Sequence, residues 1–420
     1  MMKEETYPSV LNNVYKAARR LRNVVVRTPL AMNNNLSGIY EAKISFKRED
    51  LQQVRSYKIR GAYNKMAVMS PEDLAKGVVC ASAGNHAQGV AFACNTMKVK
   101  GTIFMPLPTP GQKLEQVKMF GGDFIDIVLY GDTFDEAKDA ALEFCRDKQG
   151  IFIHPFDDQD IIDGQATVAL EILEQSDEPV DYLFVPIGGG GLAAGICTVF
   201  RELSPQTRII GVEPSAAASM KKALENGKPV LLEKISRFVD GAAVQKVGDL
   251  NFEHCKNVLH EMAVVDEGMV CETILSLYNK DAVVVEPAGA LSVAALKKYG
   301  DLIKGKNVVC IISGSNNDIT RMEEIKEKAL LYAGLKHYFL VRFAQRPGAL
   351  KNFVLNVLGP NDDITFFEYT QKNSKEKGIA VVGIGLRQSE DFMPLFNNMK
   401  KHDFFVNYLN NDPALMNLLI

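Results

Sequence analysis

The sequence predicts an α/β protein with parallel sheet, followed by a smaller α+β unit of ferredoxin-like order. Three observations carry this. From residue 44 to 312, short apolar runs alternate with amphipathic stretches, the pattern of strands joined by crossover helices. Those runs are β-branched and nearly continuous, as in strands covered on both faces. After a helical stretch at 323–334, about 85 residues read strand, helix, strand, strand, helix, strand.

The strands in order are ISFK (44–47), GVVCAS (77–82), GTIFMP (101–106), FIDIVLY (124–130), DYLFVPI (181–187), RIIGVE (208–213) and NVVCIIS (307–313). Right-handed crossovers are expected between them. One helix opens at Ser70-Pro71-Glu72-Asp73, with a cap residue, proline at the first helical position and acids in the first turn. Others occupy 133–148 and 192–203. In the C-terminal part HYFLVRF (337–343) is a strand, and Arg346-Pro347-Gly348-Ala349-Leu350 opens a helix. DITFFEYTQ (363–371) and GIAVVGIGL (378–386) are strands joined by the polar KNSKEK. A helix (389–401) and DFFVNYL (403–409) complete the unit. The six-element order marks a separate domain, and the sequence holds no second copy of it. The expected domains are 1–325, with a smaller subdomain near 55–155, and 336–420.

Composition narrows the function. The chain has 420 residues, 47% hydrophobic and 24% charged, the balance of a globular protein of two or three domains. A net charge of −3 without a basic patch argues against nucleic acid as a partner. The start, MMKEETYPSV, lacks an apolar stretch behind a basic one, so no signal peptide is expected. No run approaches the roughly 18 apolar residues of a membrane span. Seven scattered cysteines without a C-x-x-C pair point to reduced thiols and a cytoplasmic protein. Six histidines without an H-x-x-x-H pair give no sign of a metal site.

Four stretches carry chemistry. DYLFVPI runs into Gly188-Gly189-Gly190-Gly191 and then the helix LAAGICTVFREL. Glycines after a strand let backbone N–H groups at a helix start approach a phosphate. The same stretch satisfies the dinucleotide fingerprint as Gly188-x-Gly190-x-x-Ala193. Glu213 stands where a ribose-binding acid belongs. On these residues alone a nicotinamide-dependent oxidoreductase stays open. No Gly-Lys-Ser/Thr follows, which disfavours a triphosphatase.

Lys58 lies in VRSYKIRGAY (54–63). A lysine amine condenses with an aldehyde to a Schiff base. Ser56 is expected to cap the Lys58 helix, with small Gly61 and Ala62 allowing close packing. The plain alternative is a solvated helix lysine. SAGNHAQG (82–89) is a second strand-to-helix anion site, suited to a small carboxylate. There Asn85 can donate to a phenolate oxygen and Ser82 can bond a carboxylate, while His86 reads as a structural hydrogen-bonding residue. Ser313-Gly314-Ser315-Asn316-Asn317 follows a strand, where α/β ligands gather.

Together these residues resemble the biosynthetic threonine deaminases (threonine ammonia-lyases), pyridoxal-phosphate enzymes of the tryptophan synthase β-like fold, fold type II. The matching motifs are Ser56–Ala62, SAGNHAQG, the tetraglycine loop with Leu192, Asp240-Gly241, EPAGA (286–290) and SGSN (313–316). The C-terminal unit resembles the single ACT-like regulatory domain of the short enzyme form. The resemblance implies two parallel-sheet subdomains plus the ACT-like domain, and pyridoxal 5'-phosphate as cofactor. Lys58 would hold it as a Schiff base and act as general base. Gly188, Gly189, Gly190, Gly191, Leu192, Gly241, Asn85 and Ser313 would bind it, with Asn85 at the ring oxygen and Ser313 at the pyridine nitrogen. Ser82, Gly84, Asn85 and His86 would cradle the substrate carboxylate.

The implied reaction converts L-threonine to 2-oxobutanoate and ammonia, the committed step of isoleucine biosynthesis, with L-serine as a further substrate. Isoleucine would inhibit at Arg346, Pro347, Gly348 and Ala349, valine would oppose it, and the chain would form a homotetramer. The sequence departs from the family at 164–167, where Gly-Gln-Ala-Thr replaces Gly-Gln-Gly-Thr in what is read as a loop. It departs again at the acid pair that holds a divalent cation in related racemases: Glu213 is present but residue 219 is Ser. Serine dehydratase or racemase is the near alternative. An oxidoreductase and a non-catalytic amino-acid sensor are the distant ones.

Overall fold

The computed structural model describes residues 9–369 and 377–416. Two compact units divide the chain, Met1–Asp318 and Ile319–Ile420.

The first unit holds two sheets. Its strands are β1 (Leu30–Met32), β2 (Lys43–Arg48), β3 (Val78–Ala81), β4 (Gly101–Met105), β5 (Ile125–Leu129), β6 (Ile151–Phe152), β7 (Tyr182–Pro186), β8 (Arg208–Pro214), β9 (Glu261–Val265) and β10 (Asn307–Ile312). The larger sheet has the order β1-β2-β10-β7-β8-β9. It is parallel except for β1, which runs antiparallel to β2. The smaller sheet, β5-β4-β3-β6, is wholly parallel. Strands such as β3 and β7 are buried at every position, which is why they read as unbroken apolar runs.

Two helices, Gln159–Gln175 and Gly191–Leu203, supply most of the main core with Leu183, Val185, Val309 and Ile311. The segment 164–167 lies inside the first of these, so the expected loop is a helix. Gly164 is needed there: a Cβ would come within 2.7 Å of Gly61 Cα on the Lys58 helix.

All seven strands expected in this unit form, within a residue or two. Three others went unread. β1 and β6 have three and two residues, too few for a period. β9 follows a polar stretch and takes the open edge beside β8. Two of the expected helix starts carry side-chain caps. Ser70 accepts from Asp73 N–H, and Thr133 with Glu136 forms a capping box.

The second unit contains β11 (Lys336–Ala344), β12 (Asp363–Tyr369), β13 (Lys377–Gly385) and β14 (Phe405–Tyr408), with helices Ala349–Asn356 and Phe392–Lys401. The order is β12-β13-β11-β14, antiparallel throughout. That is the βαββαβ ferredoxin-like plan. Its core is aromatic, with Phe343 edge-on to both Phe353 and Phe367. Residues 370–376, including most of the KNSKEK connection, lie outside the described residues. Among the described residues, no helix is long and apolar enough to cross a membrane.

Candidate active site

The parallel order of the larger sheet puts the ends of β7 and β10 side by side. The tetraglycine loop leaves one and Ser313 leaves the other, so two stretches far apart in sequence meet at the C-terminal ends of neighbouring strands. Lys58 is brought to the same place by its neighbours. Ser56 forms an antiparallel bridge with Gly314, Tyr57 N–H donates to Ser313 O at 3.2 Å, and Ser315 N–H donates to Arg55 O at 2.9 Å. Arg55 adopts φ 58°, left-handed for a non-glycine residue.

Ser56 therefore does not cap the Lys58 helix. Extended pairing with Gly314 turns it away; Tyr57 holds the cap position without a side-chain bond, and Ser56 Oγ is buried with no partner.

Lys58 is the first residue of the helix Lys58–Ala67. Its Nζ donates to Pro155 O at 2.8 Å. Burial lowers its amine to about 8, against the opposing pull of the Glu286 carboxylate. Behind it the helix is locked by charge. Arg60, 1% exposed, makes forked bonds to Glu49 at 2.8 Å and to Glu171 at 2.7 and 2.9 Å. Lys47 Nζ donates to Glu171 at 2.6 Å. Burial raises Glu49, but Arg60 outweighs it and holds the carboxyl below its ordinary value.

The glycine loop is built for close approach. Gly190 caps the helix Gly191–Leu203 with φ 96°. A Cβ at Gly188 would lie 2.9 Å from Ala242 Cα, and at Gly189 only 2.3 Å from the Phe156 ring. Leu192 is buried in the first turn.

The second strand-to-helix turn lies after β3. Gly84 caps the helix Asn85–Met97, and Ser82 Oγ accepts from Gly84 N–H at 3.2 Å. The His86 side chain is committed elsewhere: Nε2 bonds Ile153 O at 2.9 Å, and burial lowers the ring to about 3. It stays neutral and faces away, so only its backbone N–H can serve an anion at this turn.

Asn85 ties the turn after β3 to Glu286 and to the turn after β10. Its Nδ2 donates to Glu286 Oε1 at 2.6 Å, and its Oδ1 accepts from Asn316 Nδ2 at 2.6 Å. Burial, then the charge of Asp240, pushes Glu286 up to about 7. A Cβ at Gly241 would lie 3.4 Å from Glu286 Oε1 and 2.8 Å from Ala288 Cβ. Asp240 is bonded by Lys113 at 2.6 Å. Glu286, Asn316 and the Pro155 carbonyl were not read as site groups from sequence. Glu286 stood in the quoted EPAGA motif, and an acid opening an otherwise apolar helix was the available signal.

Glu213, the would-be ribose acid, is fully engaged. Its two oxygens accept from Met220 and Lys221 N–H at 2.7 and 3.0 Å. The nicotinamide reading loses that residue.

Residues 21–314 match the family model "Pyridoxal-phosphate dependent enzyme", and residues 327–419 match the "C-terminal regulatory domain of Threonine dehydratase". Fold and match together define the class: a fold-type II pyridoxal-phosphate enzyme with a regulatory domain.

The biosynthetic L-threonine dehydratase IlvA of Bacillus subtilis is 53% identical over 420 residues, covering 100% of this chain and 99% of that one. Its counterpart in Halalkalibacterium halodurans is 51% identical, covering 98% and 99%. Among solved structures, the processed form of threonine deaminase isoform 2 from Solanum lycopersicum matches with a TM-score of 0.73 at 39% identity, covering 76% of this chain and 93% of that one. The chain belongs to the family of biosynthetic L-threonine dehydratases.

The residues present fit the cofactor of that class. A lysine with a lowered pKa, a glycine loop packed too closely against Ala242, Phe156 and Asn251 to accept side chains, and a buried unpartnered Ser56 hydroxyl lie around the same end of the sheet.

Proposed function

We propose that this chain converts L-threonine to 2-oxobutanoate and ammonia, with L-serine as a second substrate. The single observation behind the site assignment is the lowered Lys58 amine, set beside the glycine loop and bridged to the Ser313 turn. Bound pyridoxal phosphate supplies an electron sink for charge developing at the substrate Cα.

The chain's residues do the rest. Lys58 Nζ is the attachment point and, once free and neutral, takes the proton from Cα. The N–H groups of Gly188–Gly191 and Leu192 would hold the phosphate. Ser313 would offer the pyridine nitrogen a neutral hydroxyl, which would supply no countercharge there. Asn85, fixed by Glu286 and Asn316, would serve the ring oxygen, with Gly241 beside it. Ser82, Gly84, Asn85 and the backbone of His86 receive the carboxylate. The α-proton and β-hydroxyl leave as water, and hydrolysis releases the nitrogen as ammonia.

We assign residues 1–325 to catalysis and 336–420 to regulation. Isoleucine inhibits at the turn Arg346-Pro347-Gly348-Ala349, where Gly348 takes φ 87° before a helix, and valine opposes it. The working form is a cytoplasmic homotetramer.

The test is oxo-acid release from L-threonine by wild type and Lys58→Ala. Turnover should vanish in the variant. A variant that keeps turnover, or a wild type that releases no oxo acid from threonine or serine, refutes the reading.

A further inference from the structure

Asn251 is fully buried, yet its Oδ1 has no partner. Burying an amide with an idle oxygen is unfavourable, so its two N–H groups are the reason to look. Nδ2 donates to Gly189 O at 2.7 Å and to Phe156 O at 3.2 Å. Gly248 N–H donates to the same Gly189 oxygen at 3.1 Å. Two donors thus hold that carbonyl against one wall.

Peptide planarity gives this a consequence. In a trans peptide the N–H points opposite to the C=O. With the Gly189 carbonyl held toward Asn251, the N–H of Gly190 points away from that wall, among the free N–H groups of the helix start. Released, the 189–190 peptide could rotate and present an oxygen to an anion instead.

The wall itself is fixed. Asp157 accepts from the backbone N–H groups of Asp249, Leu250 and Asn251 at 3.0, 3.0 and 3.3 Å. A Cβ at Gly190 would lie 2.9 Å from Asn251 Cβ, so loop and amide are in direct contact. Through Phe156 O, Asn251 also ties the loop to the segment whose Pro155 carbonyl meets Lys58.

We infer that Asn251 is a positioning residue for the cofactor phosphate, holding the Gly189 carbonyl back so that the Gly190 N–H faces the anion. The inference rests on the reading that the tetraglycine loop takes the phosphate.

The experiment compares pyridoxal phosphate with pyridoxal, which lacks the phosphate. Dissociation constants are measured by equilibrium dialysis for wild type and Asn251→Ala apoenzyme, with circular dichroism as the folding control. Wild type should favour the phosphate form strongly. Asn251→Ala should lose about tenfold or more of that preference, the loss of one charge-assisted hydrogen bond, while pyridoxal affinity stays within about twofold of wild type.

If Asn251→Ala does not fold, Asn251→Ser is judged by the same ratio, with a smaller loss because a hydroxyl donor remains. A variant that keeps the wild-type preference, or loses both affinities in parallel, overturns the role of Asn251 alone. A wild type without preference overturns the phosphate reading of the loop and the inference with it.

Discussion

On the proposed role of Lys58, cofactor uptake by the apoenzyme would run through its neutral amine, so the rate against pH would read that amine's protonation. With the amine at about 8, about one-tenth is neutral at pH 7, whereas an ordinary lysine near 10.4 would be only about 0.04% neutral. The structure therefore predicts uptake at pH 7 some two hundredfold faster than an unperturbed lysine would allow. Glu286 sets the direction of a second test. Its carboxylate favours the charged amine, so Glu286→Gln removes that pull and the Lys58 midpoint moves below 8.

Glu286 itself titrates at about 7. Below pH 7 its protonation lowers Lys58 in wild type too, and the rate falls less steeply than a single titration would give. The assay mixes apoenzyme with pyridoxal phosphate at fixed pH and follows the visible band of the lysine-bound form, with Lys58→Ala as blank. A wild-type midpoint above pH 10, or a Glu286→Gln midpoint that moves upward, refutes the reasoning.

Arg60→Met leaves Glu49 buried with only Thr28 and Gln52 as donors. Urea unfolding, followed by circular dichroism because the chain has no tryptophan, should show a loss of about 3–5 kcal/mol at pH 8. The sign with pH is fixed. Losing Arg60 removes the main influence that lowers Glu49, so its carboxyl moves up from its wild-type value and the variant regains stability relative to wild type as pH falls toward 5; a deficit that does not shrink counts against the pairing. Gly189→Ala drives a methyl into Phe156 and should weaken pyridoxal phosphate binding by about tenfold or more, with partial recovery on adding Phe156→Leu; undiminished binding contradicts the close packing. Deleting 336–420 should leave threonine turnover but abolish its response to isoleucine; continued inhibition places the effector elsewhere.

Local pattern made much of this protein readable. β7 and β10 are apolar and β-branched because both faces are covered, and the glycines follow β7 because a backbone must come close. The same logic failed where contacts are distant. Ser56 has a cap residue's chemistry, but pairing with Gly314 decides its conformation. The Asn85–Glu286 bond joins residues 201 positions apart, and Asn251 reaches back 62 positions to Gly189. Nothing in the immediate sequence of either announces its partner. At 164–167, resemblance suggested a loop, whereas the segment is helical and its Gly164 packs against Gly61 on a neighbouring helix.

β10 is the last strand of its unit along the chain, yet it lies inside the sheet, paired with β2 on one side and β7 on the other. A growing polypeptide at the ribosome therefore carries two unzipped borders until residue 312 emerges. Unpaired borders of this kind invite association with other chains. Ser313 arrives with the closing strand, so a pocket that includes it, as proposed, would be complete only when synthesis has passed that point. Premature termination upstream would leave an aggregation-prone fragment, not a partly working catalyst.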